Sequence, residues 1–213
     1  MKLNFTPKKN HLKSCLILII AFLFQGCYVA KNPIGLTTFS KSGHVNCIVE
    51  IPAGTNKKIE FNKNTKKFKI DSLNGNERVI EYLPYPGNYG FIPSTYANAS
   101  QGGDGDPLDV LVLCESLPTD THLEITPIAM LKLLDEGQAD FKVIAIPANP
   151  KLQTLTATSL IEFSKKYKQA LTIIEIWFAN YNPSDSVKIL GWADEKETLN
   201  EILRLSTQQN LNK

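Results

Sequence analysis

The sequence predicts an α+β protein, a small β-barrel covered by helices. Three observations predict it. β-Branched residues and polar–apolar alternation fill the segments between Val45 and Ile146, the two-residue period of strands. Helical spacing of apolar residues appears only after about Ser159. Turn-forming Gly, Pro and Asn separate the early segments, so strands come first and helices last. The 213 residues, 43% hydrophobic and 21% charged, suit one ordinary core plus an N-terminal extension.

Residues 28–43 are mixed and polar, with Pro33, Gly35 and Gly43, and predict a tether. Val45 to Ile51 predicts the first strand. Lys58-Ile59-Glu60-Phe61 and Lys67-Phe68-Lys69-Ile70-Asp71 alternate, and residues 62–66 between them predict a hairpin loop. Tyr82 to Pro93 holds three prolines, two glycines and three tyrosines, and predicts a rigid packed loop. Val110 to Leu113, Glu124 to Leu134 and Phe141 to Ile146 predict further strands. Ile161, Tyr167, Leu171, Ile174, Trp177 and Phe178 predict one amphipathic helix from about Ser159 to Tyr181. Leu199, Ile202, Leu203 and Leu205 predict a second, from about Glu195. There is no internal repeat, low-complexity segment or second domain.

Two acidic clusters fall between predicted strands. Asp104-Gly105-Asp106-Pro107-Leu108-Asp109 puts three carboxylates in a forced turn at the start of a buried strand. Asp135-Glu136-Gly137-Gln138-Ala139-Asp140 is the second. Carboxylates this close repel unless a cation lies among them, and an all-oxygen set suits Mg²⁺ or Mn²⁺. Glu50 and Glu60 on early strands add to the set. Lys58 shares a strand face with Glu60, and Lys142 lies two residues from Asp140. Interleaved anions and cations suit metal ions holding a polyanion, although ordinary cross-strand salt bridges explain any single pair.

With these residues the sequence resembles the family I soluble inorganic pyrophosphatases. Asp104 to Asp109 matches the family's Asp-x-Asp-Pro-x-Asp signature. Glu50-Ile51-Pro52, the Lys58–Glu60 pair, Tyr85 to Pro93, Asp135 through Lys142 and Gly191-Trp192 follow in the family's order. The resemblance covers Val45 to the C-terminus. It implies a five-stranded OB-type barrel with flanking C-terminal helices. It implies Mg²⁺-dependent hydrolysis of pyrophosphate to two phosphates, with three or four ions per site and Mn²⁺ as a possible substitute. By the same resemblance Asp104, Asp109 and Asp140 hold the metals that activate water, and Asp106 is the general base. Asp135 and Asp140 hold a further ion and Glu60 helps hold a fourth, with Glu50 and Glu136 in support. Lys58, Arg78, Tyr85, Tyr89, Lys142 and Tyr181 contact or approach the phosphoryl oxygens. A homo-oligomer is also implied, since bacterial members commonly form hexamers. The chain departs from the family at Asn182, where Lys usually follows Tyr181. Two other readings stay open: a barrel that binds phosphate or metal without turnover, and a hydrolase of another exported diphosphate ester.

The N-terminus predicts export. Lys2, Lys8, Lys9 and Lys13 precede a short apolar run, Cys15 to Phe24, too short for a comfortable span. Phe24-Gln25-Gly26-Cys27 resembles a lipoprotein cleavage site, with Cys27 lipidated. The expected organisation is a signal peptide at 1–26, a lipidated Cys and tether at 27–43, and the catalytic domain at 44–213. The expected location is a membrane-anchored lipoprotein facing the periplasm or cell exterior. Losing the four lysines of residues 1–26 turns the formal charge from +2 to −2. No basic surface remains to suggest nucleic acid. Cys47 and Cys114 sit in apolar strand contexts.

Overall fold

Alternation along a buried strand sends successive side chains to opposite faces. Val110 and Val112 join one core, with Val143, Ala145, Ile202 and Leu205. Leu111 and Leu113 join a second, with Ile144, Ile146, Phe163, Trp177 and Phe178. Both faces of these strands are therefore covered, which explains their unbroken apolar runs. The computed structural model describes residues 35–73 and 75–211.

In chain order the described strands begin with β1 (Val45–Ile51), β2 (Ile59–Asn62), β3 (Lys67–Ile70), β4 (Ser72–Leu73) and β5 (Asn76–Glu77). There follow β6 (Asn88–Phe91), β7 (Asp109–Val112), β8 (His122–Asp135), β9 (Gln138–Ala139) and β10 (Lys142–Pro147). Helices α1 (Leu160–Lys166) and α2 (Ala170–Asn180) precede β11 (Val187–Asp194), and α3 (Glu195–Leu211) ends the described chain. The arrangement is α+β, a mixed sheet with helices packed on it.

Strand β1 pairs antiparallel with β6 and with β8. Strand β6 pairs antiparallel with β7, β7 parallel with β10, and β10 antiparallel with β8. The pairing path thus leaves β1 through β6 and returns to it through β8. Strand β11 extends the sheet from β8. The hairpins β2–β3 and β4–β5 form separate two-stranded sheets.

Several expected elements differ in detail. The packed loop over Tyr82 to Pro93 contains β6. Gly90 lets it run against β1, because a Cβ there would lie 1.9 Å from the Ile48 carbonyl oxygen. The single helix expected from Ser159 to Tyr181 is two helices, broken where Gln169 takes φ 68°. Phe163 and Phe178 both enter the same core. A straight helix would set them about 22 Å apart. Ser159 caps α1, its hydroxyl accepting the Glu162 N–H at 3.2 Å.

Residues 36–39, expected within a tether, are docked instead. Thr38 is buried and its hydroxyl donates to the Pro93 and Ser94 carbonyls at 3.0 and 3.1 Å. Ser94 in turn donates to the Leu36 carbonyl at 2.9 Å. The expected signal peptide at 1–26 and Cys27 lie outside the described residues. Among those described, no helix is long and apolar enough to cross a membrane, and Cys47 and Cys114 are free thiols.

Candidate active site

Parallel pairing of β7 with β10 sets Asp109 directly opposite Lys142. Antiparallel pairing of β6 with β7 sets Tyr89 opposite Leu111, one diagonal step from Asp109. The three side chains meet. Asp109 accepts hydrogen bonds from the Tyr89 hydroxyl at 2.5 Å and the Lys142 ammonium at 2.6 Å. The ammonium also donates to Asp140 and lies 3.0 Å from the Tyr89 oxygen. It is buried and sits against the faces of Tyr89 and Phe178.

This cluster is the floor of a cavity of about 570 Å³. Asp104, Asp106 and Asp109 line it from the first acidic turn, and Asp135 and Asp140 from the second. Glu50, Lys58, Glu60, Tyr85, Tyr89, Lys142 and Tyr181, also expected, line it as well. The acidic turn is fixed by its own backbone. Asp104 accepts the Asp106 N–H at 2.9 Å, and Gly105 takes φ 86°. Tyr181, at the end of α2, stacks on Trp177 with ring centres 4.9 Å apart. Glu50 accepts the Phe61 N–H at 2.7 Å, which ties β2 to β1, and Lys58 pairs with Glu60 at 3.0 Å.

Two expected residues stand outside the cavity wall. The Arg78 guanidinium pairs with Asp71 at 3.4 Å, because the chain from Asp71 to Arg78 closes on itself as a hairpin. Glu136 sits in the β8–β9 turn with φ 47° and accepts the Ser186 N–H at 2.7 Å. It braces the loop after α2. In that loop Asn182 donates to Asp185 at 2.5 Å and accepts from Ser184 at 2.8 Å, so its side chain is held within the loop. Sequence reasoning missed Lys63, which lines the cavity and pairs with Asp106 at 3.1 Å. Its place at a hairpin tip was legible, but a partner 43 residues away leaves no local pattern.

The electrostatics follow from crowding. Burial pushes the Glu50 carboxyl up to about 8, with the charges of Asp109 and Glu60 adding to the rise. Partial burial and the neighbouring Asp140 and Asp109 push Asp104 up to about 6. Burial also raises Asp109, against the pull of Lys142. Burial by itself lowers Lys142, but Asp109 and Asp140 outweigh it and hold the ammonium charged above the ordinary lysine range. The phenols of Tyr85, Tyr89 and Tyr181 are raised by burial, which keeps them protonated and able to donate.

The donor set fits a hard divalent cation. It is all oxygen, burial and then the neighbouring carboxylates raise Asp104 and Asp135, and the buried Asp135 Oδ1 has no hydrogen-bond partner. Among the described residues, no three His, Cys, Asp or Glu are drawn together closely enough to hold an ion as they stand. Lys142 occupies the point where Asp109 and Asp140 converge.

The inorganic pyrophosphatase family model matches residues 47–210. The chain belongs to the inorganic pyrophosphatase family. An inorganic pyrophosphatase of Saccharolobus solfataricus is 37% identical over 172 residues, covering 77% of this chain and 92% of the relative. One from Neisseria meningitidis is 34% identical over 170 residues, 78% of this chain and 89% of the relative. The crystal structure of the inorganic pyrophosphatase from Thermus thermophilus superposes with a TM-score of 0.70 at 30% identity. It covers 84% of this chain and 99% of that one.

These matches correct the expected location. The family match spans residues 47–210, and the relatives and solved structures are inorganic pyrophosphatases, none of them described as exported or lipid-anchored. The exported, membrane-anchored lipoprotein is therefore withdrawn, and Cys27 with it. A hydrophobic run after lysines is common to signals and to other N-terminal segments, so local pattern misled.

Proposed function

We propose that this cavity hydrolyses inorganic pyrophosphate to two phosphates, with Asp106 accepting the proton of the attacking water. The observation that carries the reading is the convergence of both acidic clusters, with Lys58, Lys142 and three tyrosines, in one cavity of a chain of this family. The family is metal-dependent, generally on Mg²⁺. Asp104, Asp109, Asp135, Asp140 and Glu60 would hold the ions, three or four in number, with Glu50 and Glu136 in support. Bound there, Mg²⁺ supplies neutralising charge for the phosphoryl oxygens and lowers the pKa of water.

The chain's own side chains do the rest. Lys58 and Lys142 bring fixed positive charge, and Tyr85, Tyr89 and Tyr181 bring phenolic donors. Arg78 would join this set only by leaving Asp71, with which it pairs at 3.4 Å outside the cavity wall. Asp106 is exposed at the cavity rim, paired with Lys63, and is the carboxylate that takes the proton of the attacking water. The scaffold is the family's five-stranded OB-type barrel at residues 44–213. The return of the pairing path to β1 supports it. Ile173 and Ile176, exposed on α2, support a homo-oligomer.

Phosphate release from pyrophosphate by the full chain tests the reading. Activity is expected with Mg²⁺, retained in part with Mn²⁺ and lost in excess chelator. Tight pyrophosphate binding without release would instead establish a binding module.

A further inference from the structure

The three lysines lining the cavity differ in how firmly they are held. The Lys142 side chain is 5% exposed and lies between two carboxylates. Lys58 is 24% exposed and pairs with Glu60. Lys63 is 68% exposed, and so is most of its partner Asp106, at 65%. An ion pair that open to solvent is worth little, so its ammonium changes partners at small cost. A diphosphate, with several charges on adjacent phosphoryl groups, outcompetes one carboxylate for it.

The surrounding structure keeps the exchange local. Asn62 builds the hairpin tip that presents Lys63. Its side-chain oxygen accepts the N–H groups of Asn64 and Thr65 at 3.1 and 2.8 Å and the Thr65 hydroxyl at 3.0 Å. Opposite, the backbone around Asp106 is held without Lys63. Ala97 donates to the Asp106 carbonyl at 2.8 Å, and Gly105 donates to the Ala97 carbonyl at 2.7 Å. Breaking the pair therefore frees one carboxylate and one ammonium without disturbing either turn.

We propose that Lys63 is an exchangeable substrate contact, paired with Asp106 in the free enzyme and transferred to phosphoryl oxygens when the diphosphate binds. The exchange couples binding to readiness: the arriving polyanion draws off the ammonium that covers Asp106, and the carboxylate is then open to water. This rests on the pyrophosphatase reading above, and it adds a residue that reading does not use.

The test compares Lys63→Gln and Lys63→Arg in the full chain with Mg²⁺ present. Phosphate release is measured, together with calorimetric binding of methylene diphosphonate, which cannot be hydrolysed. Lys63→Gln is expected to raise KM and weaken diphosphonate binding by the same factor, roughly three- to tenfold, with kcat within about twofold. Lys63→Arg is expected to restore both. The melting temperature of Lys63→Gln should match wild type, since the pair is exposed. Unchanged KM and diphosphonate affinity in Lys63→Gln would overturn the proposal. So would a loss confined to kcat, which would make Lys63 a positioning residue for Asp106. If wild type binds the diphosphonate but releases no phosphate, the hydrolase reading fails while weaker binding by Lys63→Gln still upholds the contact. No diphosphonate binding by wild type overturns both.

Discussion

Asp106 and Asp109 lie three residues apart but in different surroundings, and this separates their roles. Asp106 is largely exposed and touches only Lys63 among the cavity cations. Asp109 sits at the floor, bonded to Tyr89 and Lys142. Asp106→Asn should therefore retain the rise in melting temperature that Mg²⁺ produces while lowering kcat by about 10²–10⁴-fold. Asp109→Asn should lose both the Mg²⁺ shift and turnover. Thermal shift with and without Mg²⁺, beside phosphate release, decides it; similar behaviour in both assays would refute the assignment. The carboxylates were legible because crowded acids within one short turn have few other uses. The cations were less so. Lys142 follows from strand alternation with Asp140, but Arg78 looked equally suitable until the β4–β5 hairpin turned it to Asp71. Lys63 was invisible for the converse reason, since its partner is reached only through the tertiary fold.

At the scale of elements, sequence period identified the strands with two buried faces and failed where backbone contact decides. Strands β7 and β10 announce themselves as apolar runs, and α3 begins at Glu195 as its spacing predicts. Strand β6 was hidden because Asn88-Tyr89-Gly90-Phe91 has no β-branched residue, and its short aromatic alternation lies inside a stretch rich in proline and glycine. What makes it a strand is Gly90, which lets β1 approach. Gly90→Ala places a methyl group 1.9 Å from the Ile48 oxygen, a contact with rigid backbone. The cost is expected at about 3 kcal/mol or more, with the loss of β1–β6 pairing and of the Tyr89 position. Equilibrium unfolding in urea measures it. A variant with wild-type midpoint would show that β1 and β6 are less tightly apposed than described. The break between α1 and α2 was hidden likewise. Apolar spacing continues through Tyr167 while the chain turns at Gln169 to return both helices to one core.

For the whole molecule, the active site is a source of instability that its ligand relieves. Glu50, pushed up to about 8, and Asp104, pushed up to about 6, are held neutral in the folded chain over a range where the unfolded chain ionises them near 4. Folding thus retains protons that the unfolded state has released. Stability from these groups is complete below about pH 4 and is lost as pH rises through 6 and then 8, with a slope near 1.4 kcal/mol per pH unit for each proton retained. Lys142 has the same sign, but its loss begins only above the ordinary lysine value near 10.5, outside this window. In chelator the melting temperature should therefore fall by several degrees from pH 6 to pH 8.5. Saturating Mg²⁺ prefers the ionised carboxylates, so it should stabilise more at pH 8.5 than at pH 6 and narrow the gap. Glu50→Gln keeps an oxygen for the Phe61 N–H but cannot ionise, so it should flatten the chelator profile between pH 6 and 8.5. A melting temperature in chelator that is constant or rising across this range would mean that the cavity carboxylates are not held protonated by burial. The excess negative charge would then be balanced by Lys58, Lys63 and Lys142 alone, and the stabilising effect of Mg²⁺ would no longer depend on pH in this way.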